Sequence, residues 1–265
     1  MPMTIREPAV ANLFYPGQAS ALHGDIREYL DAAHHTKSER TRTPKVLVLP
    51  HAGYVYSGPV AASGYRLLTH LENKIRRVIL LGPSHRVALR GIALPTQDTF
   101  ATPLGNIPLD TATIATLITL PQVGYLDAAH QQEHSLEVHL PFLQDTLEKF
   151  QLIPMVVGET TPADVAEVLN VVWGGDETLI IISSDLSHYL PYDKACKKDL
   201  HTAERILHFK SDLEGEEACG CRPLNGLLLA AKQHGLRAEL LDLRNSGDTA
   251  GSKDRVVGYG AFAFY

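Results

Sequence analysis

Four short runs have apolar, mostly aliphatic residues at consecutive positions rather than at every second one. They are "KVLVLP" at 45–50, "RRVILLG" at 76–82, "FQLIPMVVG" at 150–158 and "TLIIISS" at 178–184. A strand with one face in water alternates apolar and polar residues, whereas a strand covered on both faces does not. These runs therefore predict central strands of a sheet that has helices on both sides.

Segments with apolar residues at helical spacing alternate with these strands, as a layered α/β fold requires. The predicted helices cover residues 60–71, 111–119, 136–150 and 162–173. Near the end, "GLRAELLDLRN" and "RVVGYGAFAFY" predict two further strands. We therefore predict an α/β fold with a central, mostly parallel or mixed sheet. Because no linker-like segment or block of like charges divides the chain, we expect a single domain over 1–265.

Composition limits the classes of partner. The chain has 24 Lys and Arg against 30 Asp and Glu, a net charge of −6, which gives it no general attraction to nucleic acid or to an anionic membrane. No apolar run approaches the roughly 18–20 residues of a membrane span, so we expect a cytoplasmic protein.

Three cysteines do not indicate a disulfide framework, and Cys196 is interpreted as a packing residue of a helix.

Histidines follow three of the predicted strands. His51 comes directly after "VLVLP", His85 after "VILLGPS" and His188 after "LIIISSDLS". In open α/β sheets, binding sites form outside the carboxyl ends of the strands. Each imidazole could simply bond a loop or cap a helix, but three at equivalent positions favour a shared polar or metal site, since neutral imidazole is the commonest metal ligand.

Other polar residues occur close to these histidines. Asp185 is either a partner that orients the His188 ring or the N-cap of a short helix beginning near Leu186. The segment "QEHSLEVHLP" at 132–141 either lines the site or is a polar helix start, capped by Ser135 or Glu133. Its site candidates are Glu133, His134, Glu137 and His139.

Two thiols precede a predicted helix that starts near Pro223. Cys219 and Cys221 lie in "EEACGCRPLNGLLLAA". A thiolate near a helix N-terminus is stabilised by the helix dipole and is a good metal ligand or nucleophile. The alternative is that both are small core residues, which is common for free cysteine.

These stretches together resemble the Memo family, whose prokaryotic members are known as protein B of the AmmeMemoRadiSam system. The matching motifs run nearly end to end: "REPAVANLFYPG", "PHAGYVYSG", "LGPSHRV", "EHSLEVHLPFL", "SSDLSHY", "CGCRPLNGLL" and "SGDTAG…VVGYGAFA". The resemblance implies a fold similar to that of class III extradiol dioxygenases, which are non-haem iron enzymes.

By motif, the resemblance implies a metal held by His51, His85 and Cys219, with Asp185 and His188 beside it as catalytic residues. His134, Glu137 and His139 would then line the substrate side. Class III dioxygenases use two histidines and a carboxylate, so a cysteine ligand is a departure. A thiolate ligand suits copper or zinc as well as iron. Fe(II) remains the metal that we expect first.

The resemblance leads to two expectations about function. The first is a dioxygenase-like oxidoreductase that acts on a small molecule. The alternative is a binding module that uses the same pocket for a peptide or partner protein without turnover, and the family's name implies association with radical SAM and AMMECR-type proteins. Metal-assisted hydrolysis by zinc is a third possibility.

Overall fold

The computed structural model describes residues 3–33 and 43–265. The strands are β1 (Ile5–Arg6), β2 (Val46–Leu49), β3 (Arg77–Pro83), β4 (Ile92–Leu94), β5 (Thr99–Thr102), β6 (Gly105–Pro108), β7 (Val123–Tyr125), β8 (Gln151–Val157), β9 (Thr178–Ser183), β10 (His188–Leu190), β11 (Ala238–Asn245) and β12 (Val256–Phe264). The α-helices are α1 (Ala19–Ala32), α2 (Tyr54–Tyr65), α3 (Thr111–Leu117), α4 (Asp127–Gln131), α5 (His134–Glu137), α6 (Leu140–Thr146), α7 (Pro162–Val172), α8 (Tyr192–Leu207) and α9 (Cys221–Gln233). Short 3-10 turns cover Arg66–Leu68 and Ser246–Asp248.

The main sheet is mixed, with a parallel centre. Its order is β10-β12-β2-β9-β3-β8-β4-β7, and β11 pairs with β12. Strands β2, β9, β3 and β8 are parallel, whereas β12 is antiparallel to β2 and β4 is antiparallel to β8. A smaller sheet joins β1, β5 and β6. This arrangement confirms the predicted α/β class with a mixed sheet flanked by helices.

The parallel strands form the most completely buried layer of the molecule. Every residue of β2 and β9 is buried, and only the first residue of β3 and of β8 is not. The runs do not alternate apolar and polar residues because each strand packs against helices on both faces. Since the four strands are parallel, their carboxyl ends lie at one edge of the sheet, where the chain leaves each strand for a loop.

Two predicted helices differ from the structure. The segment predicted as one helix over 136–150 forms α5 and α6, which are separate because Pro141 lacks an N–H and crowds the carbonyl four residues before it. Helix α2 begins at Tyr54, before the predicted start, and continues through Pro59. Within the part of the chain that the structure describes, no helix has the length and apolar character needed to cross a bilayer.

Candidate metal centre

Three histidines from separate parts of the chain meet at the carboxyl edge of the sheet. His51 follows β2, His85 follows β3 and His134 is the first residue of α5. One ring nitrogen of each lies within 4.8 Å of the other two. The ring centroids are 5.1 Å apart for His51 and His85, 5.5 Å for His51 and His134, and 4.6 Å for His85 and His134. The fold thus brings two of the three strand-exit histidines, His51 and His85, together and adds His134 to them, while His188 is not part of the cluster.

One carboxylate positions two of these histidines. Glu133 accepts hydrogen bonds from the backbone N–H of His85 (2.6 Å) and from its Nδ1 (2.8 Å), which leaves Nε2 of that ring available. The same carboxylate caps α5 by accepting from the backbone N–H groups of His134 and Ser135. The interpretation of Glu133 as a helix cap is therefore confirmed, and the cap also orients a histidine of the cluster.

Protonation states favour a ligand role for the imidazoles. Burial lowers the pKa of His51 well below its usual value, and the neighbouring histidines lower it further. Burial also lowers the pKa of His134 to about 4. Burial of Glu133 opposes ionisation, but its hydrogen bonds with His85 outweigh this and lower its pKa to about 2. At neutral pH, His51 and His134 are therefore neutral, which is the form that binds metals.

The donor set fits a metal ion. Nδ1 of His134 is buried and makes no hydrogen bond among the described residues, while the carboxylate oxygen Oε1 of Glu133 lies 3.4 Å from it. The ring of Phe14 lies 4.6 Å from that of His134 and covers it on the side of the N-terminal segment. Converging imidazole nitrogens suit zinc, copper and iron, so this cluster can hold such an ion, while the donors do not select among the three.

Cys219 lies against the same cluster. Its Sγ is 3.4 Å from Nε2 of His51 and accepts a hydrogen bond from the backbone N–H of Asp185 at 3.3 Å. Burial, reinforced by the Asp185 carboxylate, raises the pKa of the Cys219 thiol. A bound cation would reverse this effect and favour the thiolate. Cys221 begins α9 and, like Cys219, lines an adjoining cleft.

Asp185 and His188 lie at the site, but they do not form the predicted pair. Asp185 accepts a hydrogen bond from the backbone N–H of His51 (2.7 Å). Burial raises the pKa of Asp185 to about 7, although this hydrogen bond acts to lower it. The half-buried His188 has Nδ1 2.8 Å from the carbonyl oxygen of Leu186, so Nδ1 donates and Nε2 is left available. No helix begins near Leu186, because the chain enters β10 at His188.

Two residues expected on the substrate side belong to the core instead. Glu137 is fully buried and binds Arg6 and other groups of the N-terminal segment. His139 is 1% exposed and lies between the Tyr65 hydroxyl and the Ser183 hydroxyl. Cys196 also differs from its interpretation, since it lies on α8 but is exposed rather than packed.

A cleft of about 420 Å³ opens beside the cluster. Its lining includes His85, Cys219, Cys221 and Arg222. A second cleft of about 680 Å³ shares Glu159 and Arg222 with the first. The cluster is therefore reached through a groove of the size that small molecules occupy.

Ser183 is the site residue that the sequence reasoning missed. It ends β9, and its hydroxyl contacts both His51 and His139. The signal was available, because the paired serines of "LIIISS" are the first polar residues after a fully apolar strand. Polar residues at such an exit face the same edge of the sheet as the histidines.

The structural comparison concerns the fold. The crystal structure of an uncharacterized protein, JW3007, from Escherichia coli K12 superposes with a TM-score of 0.51. The sequences are 13% identical, and the match covers 82% of this chain and 99% of that one. At this level of identity the likeness shows a shared fold and nothing about activity.

The sequence comparisons cover nearly the whole chain. A family model described as Memo-like protein matches residues 6–263. A MEMO1 family protein of Saccharolobus islandicus is 36% identical, covering 98% of this chain and 99% of the relative. The MEMO1 family protein of Sulfolobus acidocaldarius is 37% identical, covering 96% of this chain and 97% of the relative. That of Aquifex aeolicus is 34% identical, covering 97% of this chain and 98% of the relative. With the motif histidines gathered at one site, this chain belongs to the Memo-like family.

Proposed function

We propose that this protein is a metal-dependent, dioxygenase-like oxidoreductase that acts on a small molecule. The observation that carries the proposal is the convergence of His51, His85 and His134 beside an open cleft. Fe(II) is the proposed metal, with copper or zinc as alternatives that the same nitrogens accept. A redox-active ion held there supplies electron-transfer chemistry that the side chains themselves lack.

The chain's own groups would bind the ion and handle protons. His51 and His85 would bind it through Nε2, because Nδ1 of each ring is already hydrogen-bonded. His134 is a third nitrogen ligand on geometry, and Cys219 is a sulfur ligand on its contact with His51. This set keeps the two ligand histidines implied by the resemblance and adds a third.

His188 is the proposed acid/base. Its Nδ1 donates to the Leu186 carbonyl, so Nε2 can accept and return a proton. Asp185 would act by holding the backbone of His51 in place rather than by contacting the substrate. The substrate would enter beside His85 and Cys219, where Arg222 lines the cleft.

Metal content tests the proposal directly. The protein is expressed anaerobically, purified without chelators or a metal-binding tag, and analysed by elemental mass spectrometry. We expect near-stoichiometric metal in the wild type and its loss in His51→Ala, His85→Ala and His134→Ala. The control is His234→Ala, because this exposed histidine lies about 20 Å along α9 from Cys221. Wild-type metal content in His51→Ala would overturn the site assignment.

Activity assays then separate the chemistries. Catechol-like substrates should be consumed only by metal-loaded protein and only with oxygen present. Turnover that persists without oxygen in the zinc-loaded protein would contradict the oxidoreductase assignment and favour hydrolysis by metal-activated water.

A second candidate function is recognition of a peptide or partner protein without turnover. The observation that favours it is a set of large exposed side chains that follow the site histidines along the chain. Val55 and Tyr56 follow His51 closely, and Tyr189 follows His188. The family resemblance makes radical SAM and AMMECR-type proteins the partners to test. Binding with unchanged affinity after metal removal would favour this function over catalysis.

A further inference from the structure

The Ser183 hydroxyl lies at the centre of a buried hydrogen-bond group. Its Oγ is 2.6 Å from Nδ1 of His51, 2.8 Å from Nε2 of His139 and 2.6 Å from the carbonyl oxygen of Ser135. All of these residues are at most 2% exposed. At such burial each donor must meet an acceptor, so the protons of the group can be assigned by counting.

The count begins with the carbonyl oxygen of Ser135, which can only accept. Two oxygens 2.6 Å apart repel unless a proton lies between them, so the single hydroxyl proton of Ser183 points to that carbonyl. The Ser183 oxygen then has only lone pairs to offer the two imidazoles. Consequently Nδ1 of His51 and Nε2 of His139 each carry a proton and donate it to Ser183.

The same reasoning extends to Tyr65. Nδ1 of His139 is 2.7 Å from the hydroxyl of Tyr65, whose side chain is fully buried. A neutral His139 that donates from Nε2 has a lone pair on Nδ1, and the tyrosine hydroxyl donates to it. All hydrogen bonds of this chain therefore point toward the Ser135 carbonyl. Tyr65 donates to His139, His139 donates to Ser183, and Ser183 donates to Ser135. His51 is a second donor to Ser183.

The consequence for His51 is a fixed tautomer. With the proton on Nδ1, the lone pair is on Nε2, the atom that lies 3.4 Å from Sγ of Cys219 at the cluster. Free histidine in water favours the opposite tautomer, with the proton on Nε2. The buried group therefore works against the intrinsic preference of the ring.

We propose that Ser183 is a positioning residue that holds His51 with Nδ1 protonated and presents the Nε2 lone pair before any metal arrives. His139 and Tyr65 support it by fixing the hydrogen bond on its other side. The proposal rests on the proposed function only in taking Nε2 of His51 as a metal ligand. The tautomer is a property of the metal-free chain and is measured without metal.

Nitrogen-15 NMR of the histidine rings in chelator-treated protein tests the tautomer. Resonances are assigned by single His→Gln variants. We expect His51 with Nδ1 protonated and His139 with Nε2 protonated, so that two imidazoles around one hydroxyl have opposite tautomers. A His51 ring protonated on Nε2 in the wild type would overturn the proposal without any need for a Ser183 variant.

Substitution tests the role of the hydroxyl. In Ser183→Ala we expect the His51 population to shift toward the Nε2-protonated tautomer and metal affinity to fall about 10- to 100-fold. Ser63→Ala is the matched control, since it removes another buried serine hydroxyl that binds Asp242 instead. A folded Ser183→Ala variant with an unchanged His51 tautomer would refute the positioning role.

A pair of tyrosine variants tests the support from Tyr65. Tyr65→Phe should alter the His139 nitrogen signals and leave His51 protonated on Nδ1. Tyr54→Phe, which removes a buried hydroxyl bound to the Val138 carbonyl, should change neither ring. Unchanged His139 signals in Tyr65→Phe would contradict the support role. A correct tautomer in a protein that takes up no metal would count against the proposed function alone.

Discussion

Glu137 joins the N-terminal segment to the centre of the molecule. Its carboxylate accepts hydrogen bonds from Arg6, from the backbone N–H groups of Ala9 and Val10, and from the Tyr15 hydroxyl. All four donors lie in the first fifteen residues, and the carboxylate itself is fully buried. Because Phe14 of the same segment covers His134, Glu137 also holds one wall of the candidate metal centre in place.

Replacing this carboxylate should cost stability. In Glu137→Gln the buried Arg6 charge loses its partner, and one amide N–H₂ faces groups that are themselves donors. We expect the free energy of unfolding, measured by urea titration, to fall by about 3–5 kcal/mol. Asp176→Asn is the control, because its ion pair with Lys74 is exposed and should contribute little. Equal effects of the two variants would show that Glu137 is not a structural anchor.

At the scale of elements, the sequence patterns predicted the buried strands well and the short elements poorly. β2, β3, β8 and β9 were evident because their interior residues are apolar without alternation. Strands β4 to β7 have only three or four residues each, too few to show a period. The break between α5 and α6 could have been predicted from Pro141, and it sends His134 to the cluster while His139 stays in the core.

The side-chain roles were harder to predict than the elements. Glu137 and His139 have the chemistry of site residues, and only tertiary contacts with Arg6 and Tyr65 show that they serve the core. The strand exits still indicated the site, because a parallel sheet brings carboxyl ends together whatever the loops contain. His51 and His85 were found in this way, while the cleft and the hydrogen bonds of Ser183 needed the folded chain.

The turn before α9 fixes the position of Cys219. A Cβ on Gly220 would lie 2.4 Å from the carbonyl oxygen of Ser183 and 2.8 Å from Cβ of Ser184. In Gly220→Ala the turn must therefore move away from β9. We expect faster reaction of Cys219 with a thiol reagent, measured in a background with Cys196→Ser and Cys221→Ser.

Gly215→Ala provides the control for this variant. It lies in the same connection between α8 and α9, and a Cβ there would meet nothing within 4 Å. Its Cys219 should react at the wild-type rate. If Gly220→Ala reacted no faster than Gly215→Ala, the close packing of the turn against β9 would not be what protects the thiol.

At the scale of the whole molecule, buried histidines couple stability to pH. Burial lowers the pKa of His130 and of His134 to about 4 and that of His139 to about 3. Below the usual value of 6.5, the unfolded chain binds protons at these rings that the folded chain does not. Stability contributed by the neutral rings is therefore complete above pH 6.5 and is lost as the pH falls toward 4.

Below pH 6 we expect the free energy of unfolding of the metal-free protein to fall by about 1.4 kcal/mol per pH unit for each net proton that the unfolded chain binds. The buried histidines outnumber Asp185, whose pKa is raised to about 7 and which acts in the opposite direction. Urea titrations between pH 7.5 and 5 measure this slope. His130→Gln should reduce this slope by about 1.4 kcal/mol per pH unit, the effect of one proton, and exposed His234→Gln should leave it unchanged. A flat profile in the wild type would show that the buried rings do not govern the pH dependence.

The position of β12 in the sheet bears on how the chain folds as it is synthesised. This strand lies between β2 and β11 and is the last of the described strands in chain order, whereas β2 is the second. Until β12 leaves the ribosome, one edge of β2 has no partner, and unpaired edges promote aggregation. The central sheet, and the His51 loop that extends from β2, therefore reach their final state only after β12 has left the ribosome.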